Sequence, residues 1–155
     1  MEIPTPTPTR TAAAEAEAGK PRSSARHATL TARLLIGLLF FVFGLNGFLH
    51  FIPEPKTPMP AGAVAFAGAL MQTHYMFPMI MGTQLLVGIM LLLNVFVPLA
   101  LALIAPVIVN IIAFHLFLQP SGLAPGAVAL ALELYLAWAY RKAYSSMLAV
   151  RVKPH

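Results

Sequence analysis

The chain has 155 residues, of which 59% are hydrophobic and 10% are charged, with a mean hydropathy of +0.79 and a formal net charge of +5. Soluble domains are typically about 45 to 50% apolar, so this composition excludes an ordinary soluble domain and indicates an integral membrane protein. Cysteine is absent, which excludes disulfides, thiolate metal sites and thiol nucleophiles.

Residues 1–27 have the composition of a disordered tail, because prolines alternate with threonines and Ala-Glu repeats follow. Such a segment buries too little apolar surface to offset the entropy lost on ordering. We therefore predict a tail over 1–27, a four-span membrane domain over 28–147 and a second tail over 148–155.

The first span is predicted from about Leu30 to Phe51, with Arg33 near its start, where the long side chain reaches the membrane interface. A proline-rich connection follows. The apolar stretch 61–71 is too short to cross a bilayer, so we expect a short helix there, on the outer face.

The remaining spans are predicted from about Phe77 to Leu93, from about Pro98 to Leu118, and from near Gly126 to Tyr140. Pro106 lies inside the third span and is expected to kink it. The predicted fold is all-α, a transmembrane four-helix bundle with a short extra helix between spans 1 and 2.

The cations lie at the two ends of the chain. Under the positive-inside rule, this distribution predicts that both termini are cytoplasmic and that the number of spans is even. The same distribution argues against nucleic acid as a partner. The cations before or at the start of the first span are Arg10, Lys20, Arg22, Arg26 and Arg33, those after the last are Arg141, Lys142, Arg151 and Lys153, and Lys56 alone lies between.

Glu133 is a carboxylate in the middle of an apolar span. A charge at that position costs roughly 2.5 to 3.5 kcal/mol on insertion scales, so the side chain is expected to face other helices or a water-filled space. Asn46, Gln84 and Asn110 occupy the other three spans, and a rise of about 1.5 Å per residue places all four groups roughly 8 to 12 Å below the outer boundary.

Two interpretations of these polar groups stay open. In one they are hydrogen bonds between helices, worth about 0.6 kcal/mol each. In the other they line a binding site, together with His50 and His115 nearer the outer surface. No His-x-x-x-His pair is present, so we expect no metal site. The candidate ligand-binding residues are Asn46, His50, Gln84, Asn110, His115 and Glu133.

Two apolar motifs, Ala32 to Phe51 and Gly82 to Gly88, together with the four-span layout, resemble the DoxX family of small bacterial membrane proteins. The resemblance covers roughly residues 29–147 and implies a four-helix transmembrane bundle in the bacterial cytoplasmic membrane. The family takes its name from small membrane subunits associated with thiosulfate:quinone oxidoreductase, and other members are linked to oxidative-stress complexes. Its second-span motif often carries an acidic residue where this chain has Gln84.

The resemblance implies a subunit or quinone-interacting component of a membrane redox complex, with a quinone as the cofactor and redox proteins as partners. The alternative is a non-enzymatic membrane scaffold or lipid-binding protein whose polar layer only fixes helix packing. We expect membrane lipids as partners and keep a homo-oligomer open. No nucleophile-base arrangement or phosphate loop is present, so no catalytic residue is assigned and catalysis by this chain alone is not expected.

Overall fold

The computed structural model describes residues 21–53 and 58–144, with side chains from residue 24 onwards. Residues 1–20 of the first predicted tail and all of the second lie outside this range. Within the described residues there are five α-helices, and 3₁₀ turns cover Pro120–Gly122 and Arg141–Tyr144. The helices are α1 (Pro21–Leu49), α2 (Ala61–Gln72), α3 (Met76–Leu93), α4 (Val97–Phe117) and α5 (Leu123–Ala139).

Helices α1, α3, α4 and α5 are each long and apolar enough to cross a membrane. The protein is therefore a multi-pass membrane protein. The prediction of an all-α bundle with a short helix between the first two spans is confirmed. Helix α4 continues through Pro106 without a break.

Helices α1 and α3 pack against each other more closely than any other pair. A Cβ atom on Gly44 would lie 2.8 Å from the Leu85 Cα atom, and one on Gly88 would lie 2.6 Å from the Phe41 Cα atom. Distances below 3.0 Å leave no room for a side chain. Small residues at helix crossings allow such contact in membranes, where van der Waals packing drives association.

The four spans contact one another in the cyclic order α1–α3–α4–α5–α1 and run antiparallel to their neighbours. One end of the bundle contains Leu49, Met76 and Phe117 and is called the cavity end. The other end, with Arg33 and Arg141, is called the basic end. Helix α2 packs at the cavity end, where the Phe66 ring centroid lies 5.7 Å from that of Phe114.

Arg33 is buried at the basic end, with an exposed fraction of 7%. Its Nη1 donates a hydrogen bond to the carbonyl oxygen of Leu91, in the last turn of α3. A cation at a helix C-terminus is favourable because the last carbonyls carry partial negative charge. The Arg33 side chain is therefore held against the end of α3.

Candidate functional site

A cavity of about 640 Å³ opens between the spans at the cavity end. Small-molecule sites typically occupy about 300 to 1,000 Å³ and combine apolar walls with a few polar groups. The lining residues come from all five helices and the segments that follow α1 and α4. They are Leu39, Phe40, Phe43, Asn46, Gly47, His50, Ile52, Pro53, Met71, Phe77, Met81, Gln84, Ile111, His115, Gly122, Pro125, Gly126 and Ala129.

Asn46 and His50 reach the cavity from the end of α1. The backbone N–H of His50 donates to the Asn46 carbonyl over 2.8 Å, and the Ile52 N–H donates to Asn46 Oδ1 over 2.7 Å. His50 is exposed and adopts the left-handed region, with φ 50°. The Asn46 amide oxygen thus holds the chain where it leaves the helix, and its NH₂ group makes no hydrogen bond within the described residues.

His115 enters the cavity from the last turn of α4. Its Nδ1 lies 2.8 Å from the Gln119 carbonyl oxygen, which only accepts, so the proton of the neutral ring sits on Nδ1 and Nε2 is left as an acceptor. The imidazole occupies the space where Gly122 has no side chain, since a Cβ atom there would collide with the ring. The ring is therefore fixed in orientation with one nitrogen unused.

Gln84 lies in the middle of α3 and is buried, with an exposed fraction of 6%. Its amide lines the cavity and makes no hydrogen bond with any described residue. An unpartnered amide in an apolar span is costly unless water or a ligand satisfies it. Gln84 is the candidate residue most consistent with a ligand.

Asn110 is not part of this group. It is exposed on α4, next to the exposed Val109, and does not line the cavity. The inward face of α4 is formed by Ile104, Ile108 and, at the cavity, Ile111. The sequence predicts that Asn110 lies at the same depth in the membrane as Asn46 and Gln84, but depth does not indicate which side of the helix a residue occupies.

Glu133 is buried with an exposed fraction of 5%, and its Oε2 atom has no hydrogen-bond partner among the described residues. It lies ten residues after Leu123 and six before Ala139, which places it roughly 15 Å from the cavity end of α5 and roughly 9 Å from the basic end. Glu133 does not line the cavity; it lies one turn beyond Ala129, which does. The depth inferred from sequence was too shallow because α5 begins at Leu123 rather than at Gly126.

The environment of Glu133 includes a tyrosine that sequence analysis did not single out. Tyr144 lies in the 3₁₀ turn after α5, and its hydroxyl donates to the Pro98 carbonyl oxygen over 3.0 Å. Burial raises the pKa of Tyr144 above 10.0, and the negative charge of Glu133 raises it further. No spacing rule predicts this approach, because Tyr144 lies beyond the end of the helix that carries Glu133.

The apolar half of the lining was also missed as a site. Phe40, Phe43, Phe77, Met71 and Met81 give the cavity an aromatic and thioether wall. In the sequence these residues are indistinguishable from lipid-facing or core positions. No group of three or more His, Cys, Asp or Glu side chains is placed to hold a metal ion in the part of the chain that the structure describes.

Four of the six candidate residues, Asn46, His50, Gln84 and His115, therefore line one cavity, while Asn110 and Glu133 do not. Comparison of the chain with family models, with curated proteins and with solved structures finds no match.

Proposed function

We propose that the protein binds a quinone head group in the cavity and is a subunit, or a quinone-interacting component, of a membrane redox complex. The observation that carries the proposal is the Gln84 amide, which is buried at the cavity wall and makes no hydrogen bond with any described residue. An apolar wall with a small number of unpaired polar groups suits a flat, lipid-soluble ring with oxygen substituents.

The polar groups suit both oxidation states of such a ring. A quinone has two carbonyl oxygens, which accept hydrogen bonds from the amide NH₂ groups of Gln84 and Asn46. A quinol has two hydroxyl groups, which donate to an acceptor such as His115 Nε2. Redox proteins that associate with the bundle would exchange electrons with the bound quinone.

The location proposed with this function is the bacterial cytoplasmic membrane, with both termini and the basic end on the cytoplasmic side. The charge distribution of the sequence and the resemblance to DoxX proteins support it. In that orientation the cavity opens toward the outer leaflet.

The test compares Gln84→Leu with Asn110→Leu. Each change removes one amide from a membrane helix, but only Gln84 lines the cavity. After purification in mild detergent, extraction and mass spectrometry should find a quinone at near-stoichiometric amounts in the wild type and in Asn110→Leu. We expect at least a tenfold loss in Gln84→Leu.

The second candidate is a scaffold or lipid-binding protein. The hydrogen bond from Ile52 N–H to Asn46 Oδ1 favours this second candidate, because it shows that one of the predicted polar residues stabilises the chain at the end of α1. A wild-type protein that carries phospholipid and no quinone would reject the quinone proposal. Unchanged lipid content with a lower melting temperature in Asn46→Leu would then support the packing role.

A further inference from the structure

A second concave surface lies at the basic end, between the first and last spans. It is a groove of about 470 Å³ between the start of α1 and the end of α5, and its polar lining includes Arg26, Thr29, Arg33, Tyr135, Trp138 and Arg141. We call it the arginine groove. It shares no residue with the cavity.

No acidic residue in the described part of the chain lines the arginine groove. Arg26, Arg33 and Arg141 line it. Glu133 is the only Asp or Glu within the described residues, and it is buried outside the groove. Three guanidinium groups on one small surface therefore favour an anion.

Two of the three arginines are fixed in position. Arg33 is held by its hydrogen bond to the Leu91 carbonyl, which uses one of its five N–H donors. Arg141 donates to the Trp138 carbonyl over 2.9 Å, and its Cζ lies 4.5 Å from the Trp138 ring centroid. Pre-positioned guanidinium groups lose less entropy when they bind an oxyanion.

Hydroxyl groups hold the two walls together. Thr29 Oγ1 donates to the Ala25 carbonyl over 2.9 Å, so the Tyr135 hydroxyl, 3.2 Å away, donates to Thr29 Oγ1. This contact joins α5 to α1 along the groove. The Thr29–Tyr135 contact therefore joins the two helices that form most of the groove.

The surroundings indicate where the anion comes from. One helical turn toward the middle of the membrane, Leu34 on α1 and Leu134 on α5 are exposed, with exposed fractions of 40% and 61%. Arginines and a tryptophan at the end of membrane spans lie at the level of lipid head groups. Apolar surface beside a cationic groove matches the acyl chains and the anionic head group of a single lipid molecule.

We propose that the arginine groove binds the phosphate of an anionic phospholipid, whose acyl chains lie along Leu34 and Leu134. This site is independent of the quinone proposal, because it uses other residues at the opposite end of the bundle.

The test uses the full chain in nanodiscs of phosphatidylcholine with or without phosphatidylglycerol. We expect phosphatidylglycerol to raise the melting temperature of the wild type and to be retained selectively in native mass spectrometry. Arg26→Gln and Arg141→Gln should each lower that retention roughly fivefold.

Lys142→Gln is the matched control, because it removes the same charge beside Arg141 from a residue that does not line the groove. It should retain phosphatidylglycerol like the wild type. An equal loss of phosphatidylglycerol retention in all three variants would overturn the proposal, because it would mean that the lipid binds a diffuse basic surface and not this groove. If inorganic phosphate stabilised the protein equally in phosphatidylcholine nanodiscs, the anion would not have to come from a lipid, and the proposal would be overturned. Circular dichroism checks that each variant is folded.

Discussion

Glu133 carries the one fully buried side-chain oxygen that has no hydrogen-bond partner in the described part of the chain. Its Oε2 atom is buried without a hydrogen-bond partner among the described residues, and the negative charge of Glu133 contributes to the raised pKa of Tyr144. A buried carboxylate without a partner lowers the stability of the fold.

Glu133→Gln is predicted to raise the free energy of unfolding by about 1 kcal/mol, because it removes an unpartnered buried acid and keeps the shape of the side chain. The measurement is the melting midpoint in detergent at neutral pH. A lower midpoint than that of the wild type would mean that the carboxylate has a partner and would contradict this account.

Tyr144 gives a pH-dependent prediction. Because its pKa is raised in the folded protein, the stability linked to its neutral form is present below pH 10.0 and is lost as pH rises through the folded-state pKa. The unfolding midpoint of the wild type should therefore fall at alkaline pH, and Tyr144→Phe should remove part of that fall. The measurement is the midpoint as a function of pH, with phenolate absorbance recorded in parallel.

A further prediction for Tyr144 concerns the negative charge of Glu133. Glu133→Gln removes the negative charge that contributes to the raised pKa of Tyr144, so the phenol should titrate at a lower pH in that variant. Identical titrations in the two proteins would place Glu133 too far away to act on Tyr144.

At the scale of elements, the α1–α3 pair depends on two glycines that face the partner backbone. Gly88→Ala is predicted to cost about 1 to 3 kcal/mol, because the added methyl group meets the Phe41 backbone and forces the helices apart. The measurement is thermal or denaturant unfolding of the purified protein.

Gly82→Ala is the matched control in the same helix. A Cβ atom there has no neighbour within 4 Å, so the change should stabilise by about 0.5 to 1 kcal/mol through helix propensity alone. If the two alanine variants behaved alike, close approach of the backbones would not be what holds α1 to α3.

The helices were predictable from the sequence, and their rotation was not. Long apolar runs between breakers predict all four spans. The sequence also predicts that Pro125 precedes the last helix, whereas Pro125 lies in the first turn of α5, where a missing N–H costs nothing. The position of Asn110 could not be predicted, because a helix that is apolar on every side gives no amphipathic signal for which face points into the bundle. The hydrogen bond of Arg33 could not be predicted either, since its acceptor, the Leu91 carbonyl oxygen, lies on another helix.

At the scale of the whole molecule, the two ends of the bundle differ in chemistry. The cavity end has histidines and amides beside aromatic walls, whereas the basic end has three arginines around a groove. Under the positive-inside rule this difference favours one orientation in a bilayer, and the proposed orientation places the basic end in the cytoplasm.

The absence of native cysteine allows a direct test of that orientation. Single cysteines are introduced at Gln72, exposed at the cavity end, and at Val95, exposed at the basic end. In intact cells a membrane-impermeant maleimide should label Gln72→Cys, and Val95→Cys should react only after permeabilisation. The reverse pattern would invert the proposed topology.

The cyclic arrangement of the spans also has a consequence for biogenesis. Each span contacts the one that follows it along the chain, so α3 can join α1, and α4 can join α3, as they are inserted. The contact between α5 and α1 brings together the first and last spans, and Thr29 and Tyr135 meet only then. The arginine groove is thus completed by the final step of assembly, and an anionic lipid that binds it would stabilise finished molecules in preference to partly inserted ones.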